Sequence, residues 1–194
     1  MSNIDGASWK RIRGELVRRA DAEGLIDVAF ECHDSPLGTM LVGATAAGVV
    51  RIGLPAEGEA AVLDELAQRV SPRILRARRE TLTRIRHQLE EYFTGTRRAF
   101  DVPLDWQLTG GFRRSVLQAT ARIPYGHTAS YRDVATQAGR PAAVRAAGTA
   151  LARNPLPIIV PCHRVLRTGG QLGSYRGGPE AKASLLDLEG VRPL

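Results

Sequence analysis

The stretch from Asn154 to Tyr175 constrains the fold more than any other. Pro155, Pro157 and Pro161 fix φ at three positions within seven residues and remove three backbone donors. Between them, Ile158, Ile159 and Val160 read as a short buried strand that cannot shift easily. A thiol, Cys162, is thereby delivered on a stiff support, with His163, Arg164 and Val165 directly after it. An imidazole beside a thiol can take its proton and favour the thiolate, the reactive form of sulfur. A lone intracellular cysteine is most often an inert core residue, but the Pro-Cys-His-Arg setting argues for a reactive one. The glycines that follow, at 169, 170, 173, 177 and 178, suggest backbone approaching a ligand closely. The sulfur is expected as an anion at the mouth of a cavity.

Charge is distributed to match. Net charge is +7, but Arg113 to Gly178 alone holds ten arginines against the single acid Asp133, while the remainder is close to neutral. Basic charge confined to the cysteine-bearing part is what a polyanion-binding face requires, and nucleic acid is the obvious partner. Coding bias explains 25 Arg against 2 Lys, yet it would not strip the acids from one segment. No apolar run reaches membrane-span length and no secretory core opens the chain, so a cytoplasmic protein without membrane association is expected. The only two cysteines, Cys32 and Cys162, agree with a reducing compartment.

In chain order, residues 1–25 read as an extension, with Trp9, Ile12, Leu16 and Val17 at helical spacing. Ile26, Val28, Phe30 and Cys32 alternate as a strand, which places Cys32 on the apolar face as a core residue. Asp34 to Gly38 is a turn, and 40–45 and 49–54 continue as strands. Helices follow over 59–70 and 80–93, the latter with Leu82, Ile85, Leu89, Tyr92 and Phe93 inward, and Phe100 to Leu104 reads as a connecting strand. This part, 26–104, holds no chemical constellation and reads as a support domain. His33, His87 and Cys32 lack zinc spacing, so no metal and no other cofactor is expected.

The second domain, 105–194, opens with a helix capped by Thr109 and running to about Arg122. Ser130 and Asp133 form a capping box that starts a helix to Ala138. Pro141 then opens another to about Arg153, so the pair reads as a helix-turn-helix. Ala142, Ala143, Ala146, Ala147, Gly148, Ala150 and Ala152 leave the second helix almost without bulk. Arg145 is the one long side chain of its early turns, placed to enter a groove or the base stack.

Asn154 to Val165 together with Gly173-Ser174-Tyr175-Arg176-Gly177-Gly178 resembles the active-site signature of the O6-alkylguanine-DNA alkyltransferases, also called methylated-DNA–protein-cysteine methyltransferases. The Asp34-Ser35-Pro36-Leu37-Gly38 turn resembles that family's first hairpin, so the likeness spans about 26–191. It implies an α+β chain, with a small ribonuclease H-like sheet flanked by helices and a mostly helical, winged-helix-like second domain. It also implies repair of DNA by one irreversible transfer, from O6-alkylguanine and also O4-alkylthymine, to Cys162. In that reading His163 deprotonates the thiol through a water and Glu189 orients the imidazole, although spacing alone does not prefer Glu189 over Glu180 or Asp187. Tyr131 and Tyr175 donate to the leaving guanine, Val165 offers backbone to the base edge, and Asn154 ties two loops together. Pro157 and Leu151 line the alkyl pocket, and Arg176 stands where many members carry Ser. Ser130, Tyr131, Ala143, Arg145, Ala146 and Gly148 meet the minor groove of double-stranded DNA, Arg145 replacing a base that is turned out. A monomer is expected, with cooperative binding left open. A cysteine hydrolase or a non-catalytic alkylated-DNA binder shares parts of this pattern.

Overall fold

A computed structural model describes residues 6–191, so residues 1–5 of the expected extension and 192–194 at the far end lie outside the described residues. The architecture is α+β. Strands β1 (Val28–Ser35), β2 (Gly38–Thr45), β3 (Gly48–Gly53) and β4 (Ile74–Arg76) form one sheet in the order β3-β2-β1-β4. β1 and β2 are antiparallel through a tight turn in which the Ser35 hydroxyl donates to Gly38 C=O at 2.7 Å, and β4 adds in parallel to β1. The pleat sorts side chains to two faces. Met40, Val42 and Ala44 join Leu82, Ile85 and Leu89 of helix α3 (Glu80–Phe93) in one core, while Leu41, Val28 and Val50 join Val62 and Leu66 of α2 (Glu59–Arg69) in another.

Cys32 is not core: it is only half-buried, at the level where α2 begins, and its Sγ lies 3.0 Å from Arg76 Nη2 and 3.5 Å from Glu59 Oε2. The strand expected at 100–104 reduces to a single bridge between Val49 and Leu104. Ahead of the sheet, α1 (Gly6–Ala22) packs Val17 and Ala20 on the core and leaves Trp9, Ile12 and Leu16 exposed. Arg79 holds its end by donating to Asp21 at 2.6 Å and to the carbonyls of Ile26 and Ala44.

The rest of the chain is helical around a two-stranded ladder. α4 (Gly111–Thr120) begins after Gly110 and not under a Thr109 cap; the Thr109 hydroxyl donates to Trp106 C=O at 2.8 Å. β5 (Ala129–Ser130) leads into α5 (Tyr131–Gln137), where Ser130 and Asp133 make the reciprocal capping box. α6 (Val144–Ala152) starts three residues beyond Pro141, since Arg140 to Ala143 close a turn of their own through Ala143 N–H to Arg140 C=O. A 3-10 turn at Cys162–Arg164, β6 (Val165–Leu166, parallel to β5) and α7 (Gly178–Leu188) complete the fold. Among the described residues no helix is long and apolar enough to cross a membrane.

Candidate active site

The proline-rich segment is not a strand. Its backbone folds on itself: Val160 N–H reaches Leu156 C=O and Cys162 N–H reaches Val160 C=O, both at 2.8 Å. Asn154, fully buried, braces this coil by accepting from Leu156 N–H at 3.0 Å and donating from Nδ2 to Val160 C=O at 2.8 Å. Three prolines remove three backbone donors from the segment, and Asn154 takes up the Leu156 N–H that a ladder would need. Ile158 is held at φ +74°, a conformation costly for a β-branched residue and of a kind concentrated at functional sites. The neighbouring edge of β3 clamps the same coil, Ile52 N–H donating to Pro155 C=O at 2.8 Å.

Cys162 stands on this brace with 5% of its surface exposed, its Sγ 3.1 Å from Asn154 Nδ2. Burial pushes the thiol pKa up, with the Asn154 amide and the Lys182 cation pulling the other way. The anion expected from the neighbouring imidazole is therefore not the resting state, because desolvation outweighs the local donors. The nearby open groove, of about 590 Å³, is lined by Tyr131, Arg145, Gly148 and Ser174 among others, but not by Cys162.

His163 is fully buried, and its Nε2 lies 2.9 Å from Glu189 Oε1. Glu189 is equally enclosed. It also accepts from Arg164 through Nε at 2.8 Å and Nη2 at 2.9 Å, from the Tyr92 hydroxyl at 2.6 Å and, at 3.4 Å, from Gly126 N–H. Burial alone would raise its pKa, but His163, Arg164 and Tyr92 together bring it down to about 2. A carboxylate so ionised can only accept. Nε2 therefore carries the hydrogen, and Nδ1 keeps a lone pair that finds no partner among the described residues. The Tyr175 hydroxyl is likewise buried without a partner among the described residues, its ring edge-on to His163 with centroids 6.3 Å apart. Two orphaned polar atoms beside a nucleophile mark a place for a polar ligand.

Tyr131 leads α5 on the groove side, half-buried, and Gly173 packs against its phenol: a Cβ at position 173 would lie 2.1 Å from the hydroxyl oxygen. Only glycine fits there. Arg132, Arg145 and Arg167 line the same groove with no carboxylate among the lining residues, and Arg145 and Ala146 are exposed on α6. Ala143 precedes that helix half-buried, and Gly148 lies beside the Tyr131 ring, which a Cβ at position 148 would meet at 3.7 Å. The Ser130 hydroxyl is engaged by Asp133. Leu151 and Pro157 are buried in the surrounding core.

Arg176 and Val165 both have groups engaged within the protein. The Arg176 guanidinium pairs with Glu57 and, at 3.5 Å, with Glu65, carboxylates that are themselves bound by the fully buried Arg51. Val165 has both backbone groups engaged, its N–H by Cys162 C=O and its C=O by Lys182 Nζ at 2.6 Å. Lys182, buried on α7 with its pKa lowered by desolvation to about 8, was not singled out by the sequence reading, nor were Tyr92 and Arg164. The signal for Lys182 was a cation on an otherwise apolar stripe ahead of Leu185 and Leu186.

Comparison with known proteins follows this geometry. The family model described as 6-O-methylguanine DNA methyltransferase, DNA binding domain, matches residues 111–191, and that of the ribonuclease-like domain matches 26–106. The constitutive methylated-DNA–protein-cysteine methyltransferase of Bacillus subtilis is 48% identical over 111 residues, 57% of this chain and 67% of the relative. The Mycobacterium bovis protein of that name is 49% identical over 105 residues, and the match spans 63% of its length. The crystal structure of Mycobacterium tuberculosis O6-methylguanine methyltransferase is similar with a TM-score of 0.67 at 35% identity, covering 86% of this chain and 95% of that one. Mycobacterium tuberculosis OGT in complex with DNA gives 0.69 at 34% identity, covering 83% and 92%.

Proposed function

This chain belongs to the 6-O-methylguanine DNA methyltransferase family, and from that premise we propose that it repairs DNA by moving the alkyl group of O6-alkylguanine, and of O4-alkylthymine, onto Cys162. The observation that carries the reading is the free lone pair on His163 Nδ1, fixed by Glu189 on the opposite nitrogen and adjacent in sequence to the thiol. With substrate in place, the Cys162 proton passes to Nδ1 through a water, and the thiolate attacks the alkyl carbon in line. The C–O bond breaks as the S–C bond forms, and the electron pair leaves on guanine O6.

Negative charge then develops on the leaving base. Tyr175, whose buried hydroxyl has no other partner, and Tyr131 at the groove are the donors for it. Asn154 holds the coil and directs an N–H at sulfur. Pro157 and Leu151 flank the alkyl group, Val165 contributes backbone shape, and Arg176 supports the loop without touching the base.

An O6-alkyl group is paired inside the duplex, so the nucleotide must rotate out at a cost of roughly a few kcal/mol. Arg145 on α6 fills the vacated place in the stack, while Ser130, Ala143, Ala146 and Gly148 give a low surface to the minor groove. The groove arginines bind phosphate, and a monomer of two domains, 26–104 and 105–194, suffices. The product is a thioether that water cannot readily displace, so each molecule reacts once.

Cys162→Ser tests the reading against its rivals. Transfer from O6-methylguanine duplex vanishes while DNA affinity persists. Retained transfer, or steady turnover by the parent protein with more than one equivalent moved per molecule, contradicts it.

A further inference from the structure

Glu189 takes its third strong partner from the other half of the chain. Tyr92 ends α3, lies 97 residues before Glu189, and donates its hydroxyl at 2.6 Å to Oε1, the oxygen that also holds His163 Nε2. The phenol has no freedom to do otherwise. Tyr92 is fully buried, with Phe93 edge-on at 5.4 Å, Phe100 at 5.4 Å and Tyr125 edge-on at 6.2 Å between ring centroids. It acts as a donor because an ionised carboxylate only accepts.

We propose that Tyr92 is a positioning residue of the transfer reaction: through Glu189 Oε1 it fixes the orientation and sets the base strength of His163, which makes the sheet-bearing half a working part of the site. The inference rests on the reading of His163 as the base. A hydrogen bond from the phenol draws negative charge off Oε1, so the carboxylate stabilises an imidazolium less than it otherwise would. Removing the hydroxyl concentrates that charge on the bond to Nε2. His163 then holds a proton to higher pH and is lost as a base sooner on acidification.

The other charged or titratable groups facing this pair stay fixed in the comparison. They are Arg164 on Glu189, Lys182 of α7 within electrostatic reach of His163, Tyr175 edge-on to the imidazole, and Tyr125, whose ring carries Arg98 at 5.6 Å and Arg164 at 5.8 Å.

Tyr92→Phe keeps the ring and removes the hydroxyl. Single-turnover transfer is followed from pH 5 to 9 beside the parent and His163→Gln. The acid limb of Tyr92→Phe should move up by roughly half to one pH unit, a loss of about three- to tenfold in rate below the limb that closes at high pH, with DNA affinity unchanged. Incorporating 3-fluorotyrosine at Tyr92, a stronger donor of the same shape, should move the limb down, and it covers the case in which Phe fails to fold. A profile that overlays the parent, or a uniform loss at every pH, overturns the role of Tyr92. An acid limb that survives in His163→Gln refutes instead the assignment of the base.

Discussion

Two clusters of carboxylate and guanidinium join the halves of this molecule, and only one of them holds an imidazole. At the first, Glu189 binds His163, Arg164 and Tyr92. At the second, Glu57 and Glu65 bind Arg51 from β3 and Arg176 from the loop before α7. Both bring charges from distant segments together, the first out of water and the second with Glu65 and Arg176 part exposed, and a buried charge is tolerable only where it finds its counter-charge. The second cluster contains nothing but carboxylates and guanidinium groups. The first contains an imidazole whose Nδ1 is left without a partner among the described residues. Charge burial makes both rigid, and only the unsatisfied nitrogen makes one of them reactive.

Breaking the first cluster should have the largest effect. Glu189→Gln removes the acceptor charge that sets the His163 tautomer, and transfer by the folded fraction should fall by roughly 10²–10⁴-fold in single-turnover assays. It also leaves Arg164 enclosed and unpaired, which lowers stability by about 3–5 kcal/mol on denaturant titration. Arg51→Met inverts the pattern. With Arg51 fully buried, stability drops by a similar ~3–5 kcal/mol while the transfer rate per folded molecule holds. A transfer rate that collapses in Arg51→Met would erase the distinction between the clusters.

Arg176→Ser is milder, because its side chain is 25% exposed and solvent screens the pair: about 1 kcal/mol is lost, with faster amide exchange over 173–178 as the finer readout. The smallest difference is in acid. Glu189 has its folded pKa depressed to about 2 from 4.5, so its contribution is complete above about 4.5 and disappears as pH falls toward 2. Glu65 is also lowered, by Arg51 and Arg176 against a desolvation that opposes them. Acid unfolding curves of Glu189→Gln should be flatter across that window than those of Glu65→Gln.

What was legible in the sequence follows the range of the interaction. The Ser130–Asp133 box is three residues wide, and it forms as read. The grouping of Asn154, Cys162 and His163 spans nine residues under three prolines, which local stiffness settles. The same prolines misled at Ile158–Val160: a hydrophobic triplet looks like a strand, but Asn154 and the missing donors bend it into a coil with Ile158 at positive φ. Pro141 looked like a helix start, yet its segment closes a separate turn first. Tyr92 was visible only as one more inward residue of α3, since apolar periodicity shows which face is buried and not what a hydroxyl meets 97 residues away. Arg176 shows the same limit, its partners being 111 and more residues upstream.

The central claim is that the enclosed sulfur of Cys162 accepts the alkyl group. Intact-mass and peptide mass spectrometry after incubation with excess O6-methylguanine duplex tests it most directly. The account predicts one methyl per molecule, located on the peptide that contains Cys162 and absent in His163→Gln at equal time. Methyl groups on another residue, on half-exposed Cys32 above all, or guanine released without any gain in protein mass, would contradict it.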